Sequence, residues 1–98
     1  MLGERLRSFR ESKGLLQRQV AAKLEVDTAY ISKVESDEKL VSRTHLKTLA
    51  EMFDTSENEL LSYWLAEKVM DVVKDETEAL KAIGFAEKEI LKLKNTKK

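Results

Sequence analysis

The chain has 98 residues, no cysteine, no proline, and 18 Lys/Arg against 18 Asp/Glu, for a formal net charge of zero. That is the size of one small domain, able to hide roughly two-thirds of its unfolded surface without disulfides or a thiolate metal site, and a cysteine-free chain fits a reducing compartment such as the cytoplasm. The N-terminal stretch lacks the apolar run of a secretion signal, and no segment approaches the roughly 18 uncharged apolar residues of a membrane span, so a soluble protein is expected.

Three Gly, no Pro and an abundance of Ala, Leu, Glu and Lys favour an all-α fold, with no β-branched alternation long enough to argue for a sheet. Seven helical segments are expected. The first runs from about Leu2 to Lys13, with Leu2, Leu6 and Phe9 on one stripe and Gly14 at the left-handed position that ends a helix. The second covers about Gln17 to Leu24. The third covers about Thr28 to Ser36, with Asp27 as its N-cap. After the polar loop SDEKLVS, Ser42 is expected to cap a fourth helix from about Arg43 to Phe53, with Leu46, Leu49 and Phe53 inward. Ser56 and Glu59 have the spacing of a capping box, which opens a fifth helix running to about Lys74. A short sixth carries Leu80 and Ile83 and stops at Gly84. A seventh, from Ala86 to about Leu93, ends in a KNTKK tail expected to fray.

Charge is divided along the chain. Residues 1–47 carry a net +3, residues 48–91 a net −7, and residues 92–98 four further lysines. A basic front half beside an acidic middle permits one face to meet a polyanion, although unevenly charged solvated helices read the same way.

The stretch QRQVAAKLEVDTAYISKVE, Gln17 to Glu35, places Val20, Ala21, Leu24, Val26, Ile31 and Val34 at the inward positions of a helix-turn-helix. Ala21 is small where two helices crossing at about 90 to 120° bring their backbones together. What stays outward on the second helix of the pair is short or polar: Thr28, Ala29, Ser32 and Lys33, with Tyr30 at the edge. Such a rod suits the roughly 12 Å wide major groove of B-DNA.

Together with LGERLRSFRESKGLLQRQVAAKL and LKTLAEMFDTSENELL, this corner resembles the lambda-repressor-like (Cro, XRE-type) helix-turn-helix domains of bacterial and phage regulators, over about Leu2 to Leu61. The resemblance implies a five-helix domain over residues 1–61 whose third helix reads DNA, with residues 62–98 a C-terminal helical extension. It implies double-stranded DNA as partner. Gln17, with Arg18 beside it, falls where the family holds a phosphate at the start of the second helix, as a helix N-terminus favours. Thr28, Ala29, Ser32 and Lys33 fall where base edges and nearby phosphates are read, Tyr30 at an often aromatic position that touches the backbone, and Lys39, Ser42 and Arg43 at phosphate-binding positions. Arg10 and Glu35 match a pair that joins the first helix to the third.

Three departures from the family pattern stand out. Glu25 occupies a turn position where Gly is preferred, a cost on the order of 1 kcal/mol. Leu16 replaces a Ser or Thr cap, losing about 1 kcal/mol unless burial of the leucine offsets it. The outward face of the third helix has no Arg, Gln or Asn, the residues best able to read purines bidentately. Thymine-methyl contacts by Thr28 and Ala29, single contacts by Ser32 and Lys33, and DNA shape remain.

His45 is the only histidine and has no Cys partner, so it is read as an exposed residue of the fourth helix rather than a metal ligand; no metal or cofactor is expected. Trp64 is read as packing, because Leu60, Leu61, Leu65 and Val69 accompany it at helical spacing, rather than as a ligand platform. Trp64, Leu65, Val69, Val72 and Val73 form an apolar stripe on the fifth helix, with Leu80, Ile83, Phe85, Ile90 and Leu93 beyond it. They either fold back on the same subunit or meet a second copy across a twofold axis, the preferred reading.

The expected function is a homodimeric, sequence-specific transcriptional regulator without chemistry of its own, acting on a roughly palindromic operator, with restriction-modification controller proteins as the preferred subtype. A protein-interaction module of the same fold, antitoxin-like and using its acidic helices, is the alternative. An enzyme ranks last, since the sole His and scattered carboxylates form no recognisable constellation, and no small-molecule substrate is evident.

Overall fold

The structure, a computed structural model, describes residues 1–96; all the described elements are helical. The chain forms α1 (Leu2–Ser12), α2 (Gln17–Leu24), α3 (Thr28–Glu35), a 3-10 turn (Arg43–His45), α4 (Leu46–Met52), α5 (Glu57–Val73) and α6 (Ala79–Thr96). It divides into two compact units, Met1–Lys68 and Val69–Lys98. No helix among the described residues is long and apolar enough to cross a membrane.

The first unit is built around one core. Leu2 and Leu6 of α1, Val20, Ala21 and Leu24 of α2, Ile31 and Val34 of α3, Val41 of the loop, Leu46, Leu49 and Ala50 of α4, Phe53 and Leu60 are all buried. These include the inward positions that the helix-turn-helix spacing selects; Val26 alone is only half-buried against this cluster. Phe9 stacks on Phe53 with ring centroids 5.8 Å apart, joining the end of α1 to the end of α4. A Cβ at Gly3 would lie 2.5 Å from the Val34 carbonyl oxygen and 2.8 Å from that of Glu35, so α1 can meet the end of α3 only because residue 3 has no side chain.

Four helices stop the same way. The N–H of Leu15 donates to Arg10 O, that of Val26 to Ala21 O, that of Glu38 to Lys33 O and that of Thr55 to Ala50 O, at 3.0 to 3.1 Å. Each is the six-to-one closure of a Schellman motif, which places the preceding residue in the left-handed region. That residue is Gly14 (φ 68°) once, and otherwise Glu25 (φ 59°), Asp37 (φ 63°) and Asp54 (φ 53°). Leu15 and Val26 also pack against the core, the apolar contact this motif favours.

Two of the left-handed aspartates are used elsewhere. Asp37 accepts from the Gly3 N–H (3.0 Å) and the Met1 ammonium (3.1 Å), while Glu67 of α5 accepts from the Leu2 N–H (3.3 Å). Carboxylates from distant segments thus cap the α1 N-terminus, where the helix dipole favours negative charge. Asp54 pairs with Lys13, which holds its carboxyl below the ordinary aspartate value.

Several expectations at helix ends need correction. Ser42 does not cap α4: its hydroxyl lies 3.0 Å from that of Thr44, and the chain enters through the 3-10 turn Arg43–His45 before α4 begins at Leu46. His45 is half-buried rather than exposed, edge-on to the Tyr30 ring at 6.0 Å. Ser56 accepts from the Glu59 N–H at 3.2 Å, one half of the expected capping box. Beyond these ends, the first compact unit runs to Lys68: Tyr63 and Trp64 pack on its core and Glu67 binds the start of α1.

In the second unit, the two helices expected on either side of Gly84 are one. Gly84 sits inside α6 with no atom within 4 Å of where a Cβ would be. A single Gly costs a helix only about 1 kcal/mol, and the apolar spacing of Ala79, Ile83, Ala86, Ile90 and Leu93 runs through it unbroken. Of the tail expected to fray, Asn95 and Thr96 are helical, and Lys97 and Lys98 lie outside the described residues.

Candidate nucleic-acid interface

α3 begins where Asp27 Oδ1 accepts from the Tyr30 N–H at 2.7 Å, the expected N-cap. Its inner side is fixed by burial of Ile31, Val34 and Glu35. Thr28, Ala29, Ser32 and Lys33 are all exposed, so two methyl-bearing side chains, a hydroxyl and an ammonium line the outer side of a helix held firmly from within.

The firmness has a polar part. Arg10 and Glu35 are both buried and form a two-point ion pair, Nε to Oε2 at 2.7 Å and Nη2 to Oε1 at 3.1 Å. Hydrogen bonding to Glu35 raises the Arg10 pKa above the ordinary arginine value. Arg10 also donates to the Leu15 carbonyl at 2.8 Å, and Gln17 Nε2 donates to Glu35 Oε1 at 3.0 Å. One buried carboxylate therefore ties α1, the start of α2 and the end of α3 together. Gln17 is half-buried, and its side chain orients the α2 N-terminus from inside by donating to Glu35. Arg18, next along, is exposed.

Leu16 stands at the N-cap of α2, and at 47% exposure its burial does not offset the missing hydroxyl. Gln19 supplies the other half of a capping box, its Oε1 accepting from the Leu16 N–H at 2.7 Å.

The loop after α3 is moored to Tyr30. The half-buried phenol oxygen accepts from the Ser42 N–H at 2.9 Å, and Lys39 Nζ lies 5.6 Å from the ring centroid. The Lys33 carbonyl gathers the N–H groups of Glu38 and Lys39 and the Ser36 hydroxyl. Tyr30 thus positions Lys39, Ser42 and, one residue on, Arg43. All three are exposed.

A match to the family model described as "Helix-turn-helix domain" covers residues 1–62. The chain belongs to that family. No curated protein and no solved structure matches it.

In this helix-turn-helix protein, the resemblance-derived set divides by what each side chain touches. Arg18 is exposed on α2, and Thr28, Ala29, Ser32, Lys33, Lys39, Ser42 and Arg43 are exposed on α3 and on the segment its tyrosine holds. Gln17 and Tyr30 are half-buried and turned to internal partners.

Trp64 does something that spacing on α5 does not disclose. Its indole N–H donates to the Val41 carbonyl at 2.8 Å, and its ring lies beneath two cations, Lys68 Nζ at 5.0 Å and the Arg43 guanidinium at 5.7 Å. Trp64 is therefore engaged within its own domain, anchoring the loop and holding Arg43. Leu65, Val69 and Val72 of the apolar stripe are exposed, and Val73 is half-buried. Among the described residues, no group of His, Asp and Glu could hold a metal ion.

Proposed function

We propose that the protein is a sequence-specific, DNA-binding transcriptional regulator of the lambda-repressor-like (Cro, XRE) type, acting in the bacterial cytoplasm as a homodimer on a roughly palindromic operator. The carrying observation is the outer side of α3: Thr28, Ala29, Ser32 and Lys33 are exposed together on a helix whose opposite side is locked into the core. Short side chains let the helix backbone approach base edges closely, with methyl groups for thymine and single hydrogen bonds from Ser32 and Lys33. Lys33, Lys39 and Arg43, with Arg18 and the α2 N-terminus, supply phosphate contacts that set the register. Sequence preference then comes in part from duplex shape, since no residue of α3 offers a bidentate purine contact.

A dimer supplies what one such helix lacks in affinity, setting two copies of α3 about 34 Å apart on successive major-groove faces. The protein acts by occupancy alone, without chemistry. A reading domain joined to apolar helices for pairing fits a restriction-modification controller. Selection from a pool of random duplexes tests this reading. Enrichment of a two-fold symmetric site with half-sites one helical turn apart is the expected result; recovery of no sequence above the starting pool sinks it.

The second reading, an antitoxin-like interaction module of the same fold, draws on the many exposed apolar residues of the C-terminal segment and on the absence of Arg, Gln and Asn from the outer face of α3. It requires duplex binding to be weak and indifferent to salt.

A further inference from the structure

Among the described residues from Val69 to Asn95, none is buried, yet Val69, Met70, Val72, Leu80, Ile83, Phe85, Ile90 and Leu91 are exposed large apolar side chains. Soluble proteins rarely leave so much apolar surface on so short a segment unless something covers it. On α6 the surface is ordered. Ala79, Ile83, Ala86, Ile90 and Leu93 recur at alternating spacings of four and three, the seam of a coiled coil with Ile83 and Ile90 at a positions and the two alanines and Leu93 at d positions. Ile83 is 38% and Ile90 53% exposed.

We infer that the occupant of this seam is α6 of a second copy of the chain, running parallel. The inference rests on the homodimer of the proposed function and names its pairing surface. Three observations favour it. First, the repeat is self-complementary, and β-branched residues at a positions favour two parallel strands. Second, the flanking charges distinguish the orientations. Glu89 occupies a g position and Lys94 the e position five residues on, so a parallel pair brings Glu89 of each copy to Lys94 of the other, twice. In the antiparallel overlap that seats Ala86 against Ile90 of the other copy, Glu89 faces the second Glu89 across the twofold axis. Third, among the described residues Glu89 pairs with Lys92 at 3.3 Å, an exposed pair worth little on its own, so Glu89 exchanges it at small cost. Gly84 and Lys88 fall at b and f positions, away from the seam.

The test uses the 98-residue chain, which contains no cysteine. Ala86→Cys, oxidised in air, is expected to give a covalent dimer, because parallel pairing stacks each d position on itself; Lys88→Cys is expected to remain uncrosslinked. By sedimentation equilibrium, Glu89→Lys or Lys94→Glu alone should weaken dimerisation on the order of tenfold, and the double exchange should restore it. A dimer in which Ala86→Cys fails to crosslink, or in which the double exchange is as weak as the single ones, overturns the seam and leaves the DNA-binding reading standing. A monomer at every concentration overturns both the seam and the dimeric operator complex. Circular dichroism of each variant separates these outcomes from misfolding.

Discussion

Glu35 ties three segments of this fold together. It is buried, accepts from Arg10 twice and from Gln17 once, and stands on α3, the helix proposed to read DNA. Removing one member of a buried ion pair strands the other charge, at a cost of about 3–5 kcal/mol. Glu35→Ala is therefore expected to lower the unfolding free energy by that amount in urea titrations, and a loss under about 1 kcal/mol would show that the network contributes little. The Arg10–Glu35 pair was legible in the sequence only through resemblance, because residues 25 positions apart share no local period. Gln17 as the third member was not legible at all: a polar residue at a helix start reads as a phosphate ligand whether its side chain turns outward or inward.

At the scale of elements, helix interiors were readable and helix ends were less so. Burial of Val20, Ala21, Leu24, Ile31 and Val34 follows from period alone, since each is forced to the same side of its helix. The ends depend on which residue takes the left-handed conformation. Gly14 announces it, Glu25 was marked by its turn position, and Asp37 and Asp54 carry no such signal because other contacts hold them there. Two substitutions probe helix ends and the helix stop expected at residue 84. Leu16→Ser adds a side-chain acceptor to α2 while giving up a half-exposed leucine, and should raise the unfolding free energy by about 1 kcal/mol in the same urea titration. Gly84→Ala has open space for its methyl group and lies mid-helix in α6; a gain in helical signal with about 1 kcal/mol of added helix stability is expected, whereas a true helix stop at residue 84 would lose signal.

The whole molecule joins a rigid reading domain to a segment whose apolar surface calls for a partner. The domain was legible because a helix-turn-helix is a local arrangement, spelled out within Gln17 to Glu35. The mooring of the loop was not, because Tyr30 to Ser42 and Trp64 to Val41 are contacts across 12 and 23 residues, which no periodicity reports. Those contacts fix the loop that carries Lys39 and Arg43, and the phosphate contacts proposed for these two residues depend on them. The most direct measurement is the affinity for a duplex at a series of salt concentrations, for the wild-type protein and for Lys33→Ala with Arg43→Ala. The logarithm of affinity should fall linearly with that of salt at about 0.9 per phosphate neutralised, and the double variant should bind more weakly with a slope shallower by about 1 for each phosphate it no longer reaches. A slope near zero, or one that the two substitutions leave unchanged, would contradict the claim that this face meets DNA.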